Sequence, residues 1–228
     1  MPTIISLSKI NKRSLPKDLQ SDDNRFSDEL VEYFLEKYTR KNDTVLDPFA
    51  GFGTTLFSAA AMGRKAIGIE YDHKRYSYIK EHIEGQNLKD LEIIEGDALK
   101  IEDYSLPEID FSITSPPYMN KDDPEFPLTA YTTKGNYRDY IKGIREVYRQ
   151  INKALKKESY AVVEVANLKK KQNYGDEITT LAWDIGLEIS EVMHFVGEII
   201  VSWVGEDTGR GIYGYGYDHS YCLVFQQK

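Results

Sequence analysis

Apolar positions along this chain alternate between two periods. Thr44–Asp47, Lys65–Glu70, Leu91–Glu95, Asp110–Thr114 and Tyr160–Val165 are short runs rich in β-branched residues. Bounded by turn residues, such runs read as buried strands. Between them the period changes. Leu30, Val31, Phe34, Leu35 and Tyr38 recur at helical spacing, with Ser27 as N-cap and Asp28 and Glu29 in the first turn. Leu56–Met62 forms an apolar helix closed by Gly63-Arg64, and Tyr71–Glu84 a charged one. Tyr137–Lys156 is a long amphipathic helix, with Ile141, Ile144, Val147, Ile151 and Leu155 on one face. Strands alternating with helices predict right-handed βαβ units and a parallel sheet. Further on, a helix is expected over Glu177–Ile185, ended by Gly186. Strand-like runs follow at Leu187–Phe195, Glu198–Val204 and Ser220–Phe225. Residues 1–25 read as an N-terminal extension of a single domain spanning 1–228. The irregular stretch 119–136 is longer than most loops of compact domains, which reads as functional or disordered; it is taken as a candidate active-site loop.

Charge narrows the choice of partner. The 228 residues carry 37 acidic and 29 basic side chains, a formal net charge of −8. That argues against broad non-specific binding to nucleic acid, so any such contact must use a local surface. Cys222 is the sole cysteine. An intrachain disulfide and a cysteine metal cluster are therefore excluded, and Cys222 is expected in the core. His194 and His219 lack partners at metal-ligand spacing, so no metal is expected. Met1–Asn11 has apolar residues but no basic leader, and no segment is long enough to span a bilayer. The expectation is a cytoplasmic protein without a membrane partner.

The chemistry-bearing residues fall where an open α/β sheet binds ligands, outside the carboxyl ends of its strands. Asp47, Glu70, Asp97, Ser115 and Asn167 all follow strand runs. Gly51 and Gly53 make a G-x-G turn after the first strand. A dinucleotide fingerprint would continue with a third glycine, where this chain has Leu56. An anion is poorly served by Asp47 and Pro48; a cationic sulfonium with an amino-acid tail suits them better. Glu70 is placed to accept from both hydroxyls of a ribose, and Asp97 from an adenine amino group. A tight turn or a solvated strand end would account for each of these residues singly; their common position at strand ends favours a site.

Ser115-Pro116-Pro117-Tyr118 leaves the fourth strand as a stiff bracket. Neither proline has an N–H to donate, and each restrains the residue before it. A small hydroxyl, backbone carbonyls without competing donors and an aromatic ring then suit a planar, hydrogen-bonding ligand such as a nucleobase. Together, Asp47-Pro48-Phe49-Ala50-Gly51-Phe52-Gly53-Thr54-Thr55 and Ser115-Pro116-Pro117-Tyr118 resemble the N4-cytosine/N6-adenine DNA methylases, which modify exocyclic base nitrogens. The resemblance implies a Rossmann-like methyltransferase fold: a mostly parallel seven-stranded sheet, antiparallel in its last strand, with helices on both faces. It implies S-adenosylmethionine as cofactor, with S-adenosylhomocysteine as product. Asp47, Pro48, Phe49, Gly51, Gly53, Thr54, Glu70, Tyr71, Asp97 and Ala98 would bind it. Ser115, Pro116, Pro117 and Tyr118 would be catalytic. Serine in the first bracket position resembles the cytosine-N4 enzymes, aspartate being common for adenine.

The partner is then DNA or structured RNA such as ribosomal RNA. Family resemblance favours DNA; the acidic charge and the lack of a target-reading helix or ribbon favour RNA. Tyr213, Tyr215 and Tyr217 are candidate stacking platforms, and Lys169, Lys170, Lys171 and Arg210 candidate phosphate contacts. The rival readings are an N6-adenine enzyme, a small-molecule or protein methyltransferase such as the glutamine-methylating enzymes with their related bracket, and a non-catalytic cofactor-binding module.

Overall fold

The computed structural model describes residues 2–172, 175–204 and 216–228. Its strands are β1 (Ile4–Ser8), β2 (Thr44–Asp47), β3 (Lys65–Glu70), β4 (Leu91–Glu95), β5 (Ile109–Thr114), β6 (Leu155–Val165), β7 (Leu168–Gln172), β8 (Gly175–Thr179), β9 (His194–Val204) and β10 (His219–Gln226). The helices are α1 (Asp28–Tyr38), α2 (Thr54–Ala61), α3 (His73–Gly85), α4 (Tyr137–Ala154) and α5 (Leu181–Ser190). Eight strands form one sheet in the order β1-β9-β10-β6-β5-β2-β3-β4. β10 is antiparallel to both neighbours, β6 and β9, and every other pairing in that sheet is parallel. The α/β fold with its antiparallel last strand is as expected.

Helices cover both faces. α1, α2 and α3 close one layer through Leu30, Phe34, Leu56 and Ile79. α4 and α5 close the other through Ile144, Val147, Ile151, Ile185 and Ile189. The α4 stripe Tyr140, Ile144, Val147 and Ile151 has no exposed surface. At about 1.5–3 kcal/mol for each fully buried large side chain, that stripe anchors the helix. Asn136, as N-cap of α4, accepts from the Asp139 N–H at 3.0 Å, and Ser27 caps α1 by accepting from the Leu30 N–H at 3.1 Å. Cys222 is free and buried in β10. Among the described residues no helix is long and apolar enough to cross a membrane.

Four expectations are corrected. The sheet has eight strands, because Ile4–Ser8 joins its edge as β1, paired parallel to β9. One side of this edge strand is solvated: Leu7 is buried while Ile4 is 61% exposed. So short and half-covered a strand leaves little apolar signal. The helix expected over Glu177–Ile185 begins at Leu181, and residues 175–179 form β8, which pairs with β7 as a hairpin outside the main sheet. Leu181, Ala182, Ile185 and Ile189 supply the buried stripe of α5, which runs through Gly186 at a cost of about 1 kcal/mol against alanine. Consequently Leu187 lies in α5, and the two runs read there resolve into that helix end and one long strand, β9. Finally, α4 stops at Ala154, and β6 begins at Leu155 rather than Tyr160.

Candidate active site

The sheet ends its parallel strands on one rim, and the candidate residues gather there. β2 delivers Asp47, which is fully buried. Its Oδ1 accepts from the Phe49 N–H at 3.0 Å and from Thr114 Oγ1 at 2.6 Å. Burial pushes the Asp47 carboxyl up to about 6, against the pull of the Thr114 and Thr55 hydroxyls and the Phe49 N–H. The Thr114 bond matters for architecture: it ties the last residue of β5, just before the bracket, to the last residue of β2.

The turn after β2 needs its glycines. Gly51 has φ +56° and Gly53 φ +78°, both in the left-handed region that side chains rarely adopt. A Cβ on Gly53 would also lie 2.7 Å from the Phe57 ring. This backbone is clamped by Glu70 at the end of β3, whose Oε2 accepts from the Gly51 N–H at 2.7 Å and Oε1 from the Asp72 N–H at 2.8 Å. Glu70 is 6% exposed. Burial raises its carboxyl to about 7, opposed first by the Asp72 N–H and then by Arg75 and the Gly51 N–H. At the end of β4, Asp97 accepts from the Leu99 N–H at 2.9 Å, and its own N–H donates to Tyr104 Oη at 2.7 Å.

A cleft enclosing about 1130 Å³ of space open to solvent runs along this rim. Pro48, Phe49, Gly51, Thr54, Glu70, Tyr71 and Ala98 line it, together with all of Ser115, Pro116, Pro117 and Tyr118. Asp47, Gly53 and Asp97 stand behind the lining. Asn167 does not belong to the site: its Oδ1 accepts from the Ala182 N–H at 3.0 Å and caps α5.

The bracket is held from several sides. Tyr140 Oη, on α4, donates to the Pro117 carbonyl at 2.8 Å. Tyr118 Oη accepts from the Ala166 N–H at 3.0 Å and lies 3.4 Å from Glu164 Oε2. Glu164, in β6, is fully buried. Burial raises its carboxyl, and the hydroxyls of Ser220, Ser115 and Tyr118, with Lys9 beyond them, pull the other way.

Sequence reasoning missed three contributions. Asn24, Arg25 and Phe26, from what was read as an extension and the residue after it, line the cleft. Arg25 is anchored by the Asp23 carboxylate at 2.7 and 2.8 Å. Tyr131 reaches the cleft from the 119–136 loop, where Ala130 and Tyr131 both have positive φ, 48° and 63°; nothing in that irregular sequence signalled it. Glu164 did carry a signal, an acid inside the apolar run Ala161–Val165.

The candidate nucleic-acid contacts fare differently. Lys170 forms an ion pair with Asp122, and the backbone register sets Lys170 opposite Glu177. Lys170 thus already has an acidic partner. Tyr217 packs edge-on against His219 at 5.5 Å. Tyr213, Tyr215 and Arg210 lie outside the described residues. Among those described, no group of three or more His, Cys, Asp or Glu could hold a metal ion.

The architecture has counterparts among solved structures. It superposes on a SAM-dependent methyltransferase of Aquifex aeolicus with a TM-score of 0.58 and 15% identity, over 95% of this chain and 100% of that one. The chain has the fold of S-adenosylmethionine-binding methyltransferases. Residues 6–81 match a family described as DNA methylase. That stretch includes the Gly51/Gly53 turn and Glu70 and ends before the bracket. A type II methyltransferase of Methanothermobacter thermautotrophicus is 36% identical over 77 residues, 34% of this chain and 22% of the relative. A tRNA (guanine(10)-N2)-dimethyltransferase of the same organism is 34% identical over 80 residues, 35% of this chain and 23% of the relative. The chain thus spans under a quarter of the length of these two relatives.

The residues present fit such a cofactor. Backbone at Gly51 approaches the cleft without a Cβ, and Glu70 puts a carboxylate on its wall. Asp47 holds Oδ2 buried without a hydrogen bond of good geometry, a spare acceptor behind the turn.

Proposed function

We propose that this protein is an S-adenosylmethionine-dependent methyltransferase acting on an exocyclic amino group of a nucleic-acid base, cytosine N4 foremost. The observation that carries this reading is the shared cleft: the Gly51 turn and Glu70 lie on one wall and the whole Ser115–Tyr118 bracket on another, joined beneath by the Thr114–Asp47 hydrogen bond.

On this reading the chain is one domain, 1–228, with 119–136 as its active-site loop. Pro48, Phe49, Gly51, Thr54, Glu70, Tyr71 and Ala98 hold the cofactor directly; Asp47, Gly53 and Asp97 shape the wall behind them. When bound, S-adenosylmethionine supplies an electrophilic methyl group. The chain's residues prepare the acceptor. A cytosine amino lone pair is delocalised into the ring and is a poor nucleophile. Ser115 Oγ and the Pro116 carbonyl accept from the two amino hydrogens, which favours a pyramidal nitrogen with its lone pair turned toward the cofactor wall. Tyr140 donates to the Pro117 carbonyl and fixes the bracket that presents Pro116. Fixed acceptors of this kind act by positioning and preorganised dipoles, with no covalent enzyme intermediate. Tyr118, its hydroxyl tied down by the Ala166 N–H, presents its ring for stacking on a base that has left its helix.

The nucleic acid is DNA or structured RNA. Both find support in the comparisons, the matching family being described as DNA methylase and one relative as a tRNA enzyme. The net charge of −8 and the pairing of Lys170 with Asp122 favour recognition of a fixed RNA shape over a broad duplex surface. The test is incubation with labelled cofactor and separate DNA and RNA pools, then digestion and mass spectrometry of nucleosides. N4-methylcytosine is expected. Label at carbon 5, or on protein alone, overturns the assignment, and N6-methyladenine moves it to the adenine enzymes.

A further inference from the structure

Replacing an amino N–H by N–CH3 releases one proton, and the site described so far gives it nowhere to go. Ser115 can accept a hydrogen bond, but a hydroxyl is a poor final base. Behind it stands a better one. Glu164 occupies a β6 position that strand alternation assigns to the core, between Val162 and Ala166 on the same side. An acid there is costly unless it is partnered. Tyr118 Oη makes a long contact to Oε2 at 3.4 Å, and Oε1 is buried with no hydrogen bond of good geometry. The parallel register that pairs Thr114 with Val163 sets Ser115 beside Glu164 at the ends of β5 and β6. The groups that act on its charge are Ser115 and Tyr118 of the bracket, Ser220 and Cys222 of β10, and Lys9 from the segment after β1. Of these only Lys9 carries a positive charge. A purely structural carboxylate would be expected to use both oxygens, as Glu70 does.

We propose that Glu164 is the proton acceptor of the amino-methylation site, taking the released proton through the Ser115 hydroxyl. The inference rests on the function proposed above. In the balanced step the amino nitrogen gains the methyl group and gives its proton to Ser115 Oγ. Ser115 passes its own hydroxyl proton to Glu164, and the carboxylate becomes a neutral carboxylic acid. The positive charge that enters with the methyl donor is thereby moved onto a group whose burial already favours protonation. Glu164 acts through Ser115 and is a positioning and relay residue, not one that touches the base.

Glu164→Gln keeps the shape and removes the base. Its turnover is expected to fall ~100-fold, within the range for general-base loss, with cofactor affinity unchanged. The acid limb of the wild-type rate–pH profile should disappear in the variant. A Ser115→Ala/Glu164→Gln double variant should be no slower than the slower single one, as expected when two groups serve one relay. A readout independent of turnover is infrared titration of the full chain without substrate. Wild type minus E164Q should show one carboxyl band titrating above the usual glutamate range. Retention of the acid limb and rate by E164Q, or a carboxyl that titrates normally, overturns the proposal. If E164Q fails to fold, Glu164→Asp serves: a shifted acid limb supports the relay, and an unshifted one refutes it. A wild-type protein that methylates no nucleic acid would refute the functional reading instead, while the infrared titration would still report on Glu164.

Discussion

The two walls of the cleft are built on different principles. On the Gly51 wall the strand-end acids accept from backbone N–H groups of the βα turns. Glu70 takes Gly51 and Asp72, Asp47 takes Phe49, and Asp97 takes Leu99. The turns supply these donors, and the Thr114 hydroxyl on Asp47 ties this wall to β5. On the bracket wall the contacts come from far along the chain. Tyr140 reaches Pro117, Ala166 reaches Tyr118, Lys170 reaches Asp122, and Glu164 lies under Ser115 and Tyr118. On the proposed reading, a local turn cradles the cofactor, whereas the acceptor pocket is assembled by tertiary packing. That difference would make the Gly51 wall the general part of the molecule and the bracket wall the specific one.

The comparison can be broken by separating the walls. Ser115→Ala should lower turnover on the order of 100-fold while S-adenosylmethionine affinity stays within about twofold of wild type; calorimetry showing an equal loss of cofactor binding would mean that the walls are not independent. Glu70→Gln should do the reverse, weakening cofactor binding on the order of 30-fold through lost charge-assisted hydrogen bonds.

Glu70 also makes a prediction about pH. Its carboxyl is raised from 4.5 to about 7 in the folded chain, so the native state holds a proton that the unfolded chain has lost. More protons bound in the native state means that stability falls as pH rises. The cofactor-free protein should therefore lose stability between about pH 4.5 and 7, and E70Q should flatten that part of a melting-temperature profile. Cofactor affinity should rise with pH through about 7, since the ionised carboxylate is the better acceptor for ribose hydroxyls.

Smaller effects sharpen the contrast. Tyr140→Phe removes the bond to the Pro117 carbonyl and should cost about 1 kcal/mol in denaturant unfolding, with turnover falling and cofactor affinity unmoved. Lys170→Ala removes an exposed ion pair and should leave both the melting temperature and nucleic-acid affinity where they are; a steep loss of affinity, with a reduced salt slope, would restore the hairpin as a phosphate contact.

Legibility followed the same division. Strand-end acids, the Gly51/Gly53 turn and the double proline were readable because each is a local device: an acid after an apolar run, glycine where φ is positive, proline where a ladder must stop. α1 was readable from spacing and its Ser27 cap, and α4 from spacing. β1 was not, because a strand with one solvated side leaves a weak pattern. The β7–β8 hairpin was not, because it lies outside the sheet and its alternation reports no core. Asn167 looked like a site residue by position and proved to be a helix cap, since its partner, the Ala182 N–H, lies 15 residues away.

The sequence by itself determined the βαβ order, the Gly51/Gly53 turn and the stiff Ser115–Tyr118 bracket, because these depend on backbone conformations that particular residues impose within a few positions. Only the tertiary structure decided what surrounds the bracket. It set Glu164 behind Ser115, Tyr140 on Pro117 and Thr114 on Asp47, and it brought Arg25 and Tyr131 to the cleft. Those neighbours meet through strand register and helix packing across tens of residues, a relation that no local pattern encodes.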